Sequence, residues 1–187
     1  AVTATKARIL GRKGVIVGDR VKLDGDVSGT AGSLARIVEV EERRTWLRRS
    51  ADDMDTFERP IVANADQLMI VTALADPEPK TGMIDRILVA AYDAQVSPIL
   101  CLTKADLASP DALRTAYAPL EIPVVVIRPG SDLSPVRSLL EHHMTVLIGH
   151  SGVGKSTLVN ALLWHCHDLS GIVGALFVVV MVAGFLS

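Results

Sequence analysis

The nine residues GHSGVGKST, Gly149 to Thr157, constrain this chain more than any other stretch. They satisfy the spacing G-x-x-x-x-G-K-[ST]. The glycines let the backbone curl so that successive N–H groups point inward at phosphate oxygens. A strand must deliver such a loop and a helix must leave it, because the helix N-terminus faces the anion with its positive end. The flanks agree, with TVLI before the loop and KSTLVNALL after it. Lys155 would reach the β- and γ-phosphates, and the Ser156 hydroxyl would coordinate Mg²⁺. The expected phosphate contacts are Gly149, His150, Ser151, Gly152, Val153, Gly154, Lys155, Ser156 and Thr157. A glycine-rich turn with no ligand would explain neither Lys155 nor Ser156.

The rhythm upstream fits a sheet that could hold this loop. From Ile61 onward the apolar runs QLMIVTAL, SPILCLTK, PVVVI and MTVLIG alternate with helical patterns. In TGMIDRILVAAYDAQ, Ile84, Leu88 and Ala91 fall on one face. SPDALRTAYAPL and SPVRSLLEH each open with Ser-Pro, which predicts Ser109 and Ser134 as N-caps with Pro at the first helical position. Alternating strands and helices predict a parallel sheet covered on both faces. The first part is different. GVIV, RVKL, LARIVEVEE and TWLRR are short strand-like runs separated by Gly and Asp, which predicts a small β-barrel. Twelve of the 19 Lys and Arg lie in residues 1–60, against ten acids, although the whole chain carries only −2. That asymmetry points to an anionic partner for the first part, or to an ordinary solvated surface.

A second motif precedes the first. TKAD, Thr103 to Asp106, follows the strand PILCL directly. It resembles the N/T-K-x-D guanine-reading motif of GTPases. The Asp106 carboxylate can accept from guanine N1–H and N2–H, a donor pair that adenine lacks. The stem of Lys104 can lie against the base, and the Thr103 hydroxyl can tie this segment to the phosphate loop. Ligands of parallel sheets sit at the carboxyl ends of the strands, so both motifs would meet there. The base-reader comes first and the phosphate loop second, the reverse of Ras-like GTPases. This order reads as a circular permutation, which folds tolerate when the old termini lie close together.

On these residues the chain resembles the RsgA/YjeQ family of small-subunit-dependent ribosomal GTPases. VGDRV is similar to the family's barrel motif, and RRSADDMDTFERPIVANADQLMIVTAL to its barrel-to-GTPase junction. IDRILVAAYDAQVSPILCLTKADL and GHSGVGKSTLVNAL are similar to its base and phosphate motifs. The resemblance covers Arg8 to Leu162, and the Thr of TKAD and the ADP after VTAL look like actinobacterial members. It implies an α/β fold: an N-terminal OB-like barrel over residues 1–58, and an incomplete, circularly permuted P-loop GTPase domain over 59–164. It implies GTP/GDP and Mg²⁺ as ligands and GTP hydrolysis late in 30S maturation. The implied partners are the 30S subunit and 16S rRNA, met by a cytoplasmic monomer that is not membrane-bound. Arg43, Arg44, Arg48 and Arg49 become candidate RNA-phosphate contacts.

The family pattern continues with switch I, a strand ending in D-x-P-G, and a zinc-binding helical domain, and this sequence carries none of them. His165, Cys166 and His167 are adjacent and do not match spaced zinc ligands. No catalytic base is assigned. Residues 165–187 form an apolar tail with three competing readings: a membrane anchor, a buried strand pair, or residues foreign to the fold. The third is the expectation. The chain is thus expected to be a truncated member, its opening strands missing, with weak nucleotide binding and little turnover. The rivals are an RNA-binding module without activity and a membrane-tethered NTP-binding protein. Cys101, within PILCL, is expected to be a small buried residue, and the low cysteine use suits a reducing compartment.

Overall fold

The computed structural model describes residues 1–10, 14–49, 59–164 and 178–182. It divides into two compact units, Ala1–Asn64 and Ala65–Ser187. Arg59–Ala63, which follows the expected boundary at residue 58, forms a ladder with a strand of the first unit.

The first unit holds β1 (Ala4–Lys6), β2 (Val21–Gly25), β3 (Ala35–Val40), β4 (Trp46–Arg49) and β5 (Arg59–Ala63). β3 pairs antiparallel with β2 and parallel with β1. β4 and β5 form a separate antiparallel pair. The GVIV run, expected as a strand, contributes only the bridge Val17–Val62. Among the described residues these ladders do not close into a barrel. A buried ion pair explains the VGDRV turn. Asp19 accepts the Ile16 N–H at 2.8 Å and the Arg43 Nε–H at 2.6 Å, and its side chain is fully shielded from solvent. Burial alone would raise the Asp19 pKa, but the hydrogen bonds from Arg43 and Ile16 and the Arg43 charge outweigh it and hold the carboxyl below its ordinary value. The Arg43 fork also donates to the second Asp19 oxygen at 2.9 Å and to the Gly14 carbonyl at 3.1 Å. Arg43 is thus committed to an ion pair within this unit, with its side chain still partly exposed. Arg44 is exposed. The side chains of Arg48 and Arg49 lie outside the described residues.

The second unit is built on β6 (Gln67–Ala73), β7 (Ser97–Thr103), β8 (Val124–Val126), β9 (Met144–Ile148) and β10 (Val178–Val182). Their order is β10-β9-β6-β7-β8, and every neighbouring pair is parallel. The α-helices among the described residues of this unit are α1 (Thr81–Asp93), α2 (Asp111–Tyr117), α3 (Ser134–Leu140) and α4 (Lys155–Trp164). Central strands are apolar on both faces because both faces are covered. Met69, Val71, Ile99, Cys101 and Leu147 pack with Val136 and Leu140 of α3 and with Leu158 and Leu162 of α4. α1 packs on β6 and β7 and buries Ile84, Leu88 and Ala91 as the periodicity predicts, with Met83 and Ile87 added. Cys101 lies in this core, and burial pushes its thiol up to about 12, so it is an apolar packing residue.

Two helix starts differ from expectation. α2 begins at Asp111, whose N–H donates to Ser109 Oγ at 3.2 Å, so Ser109 closes a turn one residue outside the cap. α3 begins at Ser134 itself after Leu133, and Asp132, one residue outside the cap, closes a turn by accepting both the Ser134 N–H and hydroxyl at 2.9 and 2.7 Å. The tail also differs from expectation. Val178–Val182 pairs with Met144–Ile148, so part of the run read as foreign to the fold is the edge strand of the main sheet. β-Branched valines suit that place. No helix among the described residues is long and apolar enough to cross a membrane. His165, Cys166 and His167 lie outside the described residues, among which no metal-ligand cluster occurs.

Candidate nucleotide site

β9 and β7 deliver the two motifs to the same end of the sheet, with β6 between them. Gly149 closes β9 where it passes the carbonyl of Val71. A Cβ placed on Gly149 would lie 2.1 Å from that oxygen, so only glycine fits. The loop then turns through Gly152 and Gly154, both at positive φ, where a Cβ would be strained. It enters α4 at Lys155. The Lys155 ammonium donates to the carbonyls of Gly149 and His150 at 2.6 Å each, and burial lowers its pKa. Ser156 and Thr157 stand exposed in the first turn of α4, where an anion would meet the helix end.

Thr103 is the joint between the motifs. Its buried hydroxyl lies 2.6 Å from the Val153 carbonyl of the phosphate loop and 3.2 Å from the Thr72 carbonyl. One O–H has one proton, and the shorter contact to Val153 is the one it serves best. A Cβ on Gly154 would sit 3.9 Å from Thr103, so the two segments touch. Lys104 has left-handed backbone (φ 56°), and its ammonium donates to the Asp76 carbonyl. Asp106 is exposed at the rim of a cavity of ≈ 640 Å³. Thr103, Lys104, Gly154 and Thr157 line the same cavity. Of the expected site residues, Thr103, Lys104 and Asp106 of the first motif and Gly154 and Thr157 of the second thus line one cavity, whereas Lys155 and Ser156 are not among its lining residues.

The opposite wall falls in VIRPGSDL, the stretch near which the family resemblance places a fifth GTPase motif. It is the loop from Arg128 to Leu133, with Arg137 of α3 behind it. The loop is held by a reciprocal pair: the Arg128 N–H donates to Ser131 Oγ at 3.1 Å and the Ser131 N–H to the Arg128 carbonyl at 3.0 Å. It joins the base-reading segment through the Ala105 N–H, which donates to the Ile127 carbonyl at 3.1 Å. In sequence this stretch lacks a clear S-A-K-like pattern and reads only as turn-rich RPGSD between a strand and a helix.

Comparison with known proteins agrees with this geometry. The family model described as RsgA GTPase matches residues 40–172. The small ribosomal subunit biogenesis GTPase RsgA of Azotobacter vinelandii is 39% identical over 157 residues, covering 80% of this chain and 44% of that protein. The protein of the same name from Trichormus variabilis is 36% identical over 168 residues, covering 85% and 41%. Among solved structures, YjeQ from Thermotoga maritima superposes with a TM-score of 0.65 at 28% identity, covering 85% of this chain and 55% of that one. YloQ, described as a circularly permuted GTPase, gives 0.63 at 26% identity, covering 89% and 57%. The chain spans less than half the length of these curated relatives. With the phosphate loop behind the base-reading motif in sequence and beside it in space, the chain belongs to the RsgA GTPase family.

Proposed function

We propose that this chain binds GTP and GDP with Mg²⁺, turns GTP over slowly on its own, and serves in maturation of the small ribosomal subunit. The observation that carries the reading is the Thr103–Val153 hydrogen bond, which locks a base-reading segment onto a phosphate loop around one cavity. Asp106 selects guanine by accepting its N1–H and N2–H. Lys155 and the loop N–H groups take the phosphates, with Lys155 exchanging part of its carbonyl contacts for phosphate oxygens. The donor set fits Mg²⁺ in part: Ser156 offers a hydroxyl, and nucleotide phosphates and water would complete the shell. When bound, the ion would offset charge that develops on the transferring phosphoryl group.

Slow turnover is inferred from the strand beside the phosphate loop. P-loop NTPases hold their Mg²⁺ with a Walker-B Asp as well as the loop hydroxyl. Here β10 reads VVVMV and the residues after it read AGFLS, so that segment offers no carboxylate. The part in 30S maturation, with contacts to 16S rRNA in the cytoplasm, is carried by family membership and by the arginine-rich first unit. Arg43, Arg44, Arg48 and Arg49 remain its candidate contacts.

The test is titration of the purified chain with a fluorescent GDP analogue, competed by GDP and by ATP, with Asp106→Ala and Lys155→Ala alongside. Competition by GDP alone, lost in Asp106→Ala, supports the reading. RNA binding by a folded chain that takes up no nucleotide and ignores Lys155→Ala would replace it with an RNA-binding module.

A further inference from the structure

We infer that the loop Ala75–Lys80, ADPEPK, is the positioning element of this site and that Lys80 sets the phosphate loop through His150; the inference rests on the nucleotide-binding reading above. The loop leaves the end of β6 and touches both motifs. At its start, the Asp76 carbonyl accepts from the Lys104 ammonium. Next, Pro77 lies against the phosphate loop, 3.8 Å from where a Cβ on Gly152 would sit. At its end, Lys80 Nζ lies 3.2 Å from His150 Nε2.

The chemistry gives the last contact a direction. An ammonium has donors only, so His150 must offer a bare Nε2 and carry its proton on Nδ1. The same residue's carbonyl accepts from Lys155 at 2.6 Å. Holding the His150 side chain therefore holds one of the two oxygens that anchor the phosphate-binding lysine. Lys104 at the other end has left-handed backbone, a conformation that costs energy in a non-glycine residue and persists where neighbours impose it. Main-chain bonds from the Ala105 N–H to the Ile127 carbonyl and from the Leu107 N–H to the Lys104 carbonyl hold that turn, and the Asp76 contact fixes where the Lys104 side chain ends. One proline-stiffened loop thus fixes both lysines of the site, the one expected against the base and the one expected on the phosphates.

The experiment is GDP-analogue titration of the full 187-residue chain carrying Lys80→Met, Lys80→Arg, His150→Leu, and Lys80→Met with His150→Leu. An exposed contact of this kind is modest, so Lys80→Met should weaken binding about two- to fivefold, with recovery in Lys80→Arg. The double variant should bind no more weakly than His150→Leu alone, because both changes break one contact. Long-range ¹⁵N–¹H spectra should also show the His150 Nδ1–H form in the parent chain and a changed tautomer balance in Lys80→Met. Lys80→Met binding like the parent, or losses that multiply in the double variant, would overturn the positioning role alone. A folded parent chain that binds no GDP would overturn the nucleotide reading and this inference with it.

Discussion

Gly149→Ala is the substitution whose outcome the structure fixes most tightly. The new Cβ would stand 2.1 Å from the Val71 carbonyl oxygen, 3.1 Å from its carbon and 3.2 Å from Val153 Cγ2. The first of these falls more than an ångström, roughly, short of ordinary van der Waals contact. Val153 can rotate aside, but Val71 is backbone in β6, paired with Cys101 of β7 and next to Ile70, where the β6–β9 ladder ends. Relief requires prising β9 from β6 at the point where the phosphate loop begins. Overpacking in a core costs about 1 to 3 kcal/mol, and a clash with fixed backbone belongs at the upper end, about 2 to 3. For a chain of this size that lowers the melting temperature by roughly 4 to 12 °C. The control is Gly82→Ala, in the first turn of α1, where no atom lies within 4 Å of the new Cβ and φ is not positive. It should be neutral or raise stability by up to about 1 kcal/mol, by restricting the unfolded chain. Both variants should be followed by thermal melting and by GDP-analogue titration. Gly149→Ala should melt earlier and bind more weakly, while Gly82→Ala should do neither. If Gly149→Ala melts within about 1 °C of the parent and binds as well, the close approach of loop and strand is wrong.

Two further changes probe the joints of the two units. Thr103→Val keeps the shape but leaves the Val153 carbonyl without its hydroxyl donor; an unpaired buried acceptor costs about 1 to 3 kcal/mol, and GDP affinity should fall with it, as read by melting and titration. Arg43→Met leaves the shielded Asp19 carboxylate without its counter-charge and should destabilise the first unit by about 2 to 3 kcal/mol in urea unfolding. The folded pKa of Asp19 lies below its unfolded value near 3.8. Its contribution is therefore present above pH 4, roughly, and disappears as pH falls through the lower folded pKa. Acid titration of the parent should show that loss, and Arg43→Met should not.

The second unit was legible because its signals are local and repeated. Apolar runs of strand length, helix-period faces and two short motifs are each fixed by neighbouring residues, and all agree on a parallel sheet with a ligand end. The first unit was less legible. Its strands are short, and a pairing such as Arg59–Ala63 with Trp46–Arg49 depends on partners far apart in sequence. Arg43 illustrates the difficulty: nothing in the run EERRTW points to Asp19, 24 residues upstream, as its ion-pair partner.

The two motifs, GHSGVGKST and TKAD, and their reversed order could be read from the sequence, because each is a run of residues whose spacing carries the pattern. Tertiary structure alone decided what lies between and around them. It set Thr103 on Val153, brought the Arg128–Leu133 loop to the far wall, placed Lys80 on His150, and drew Val178–Val182 into the sheet edge. The physical reason is common to all four. A backbone carbonyl, a turn, an exposed lysine and an apolar run carry no information about partners that lie tens of residues away in the chain. Only the stacking of parallel strands brings those partners within hydrogen-bond reach.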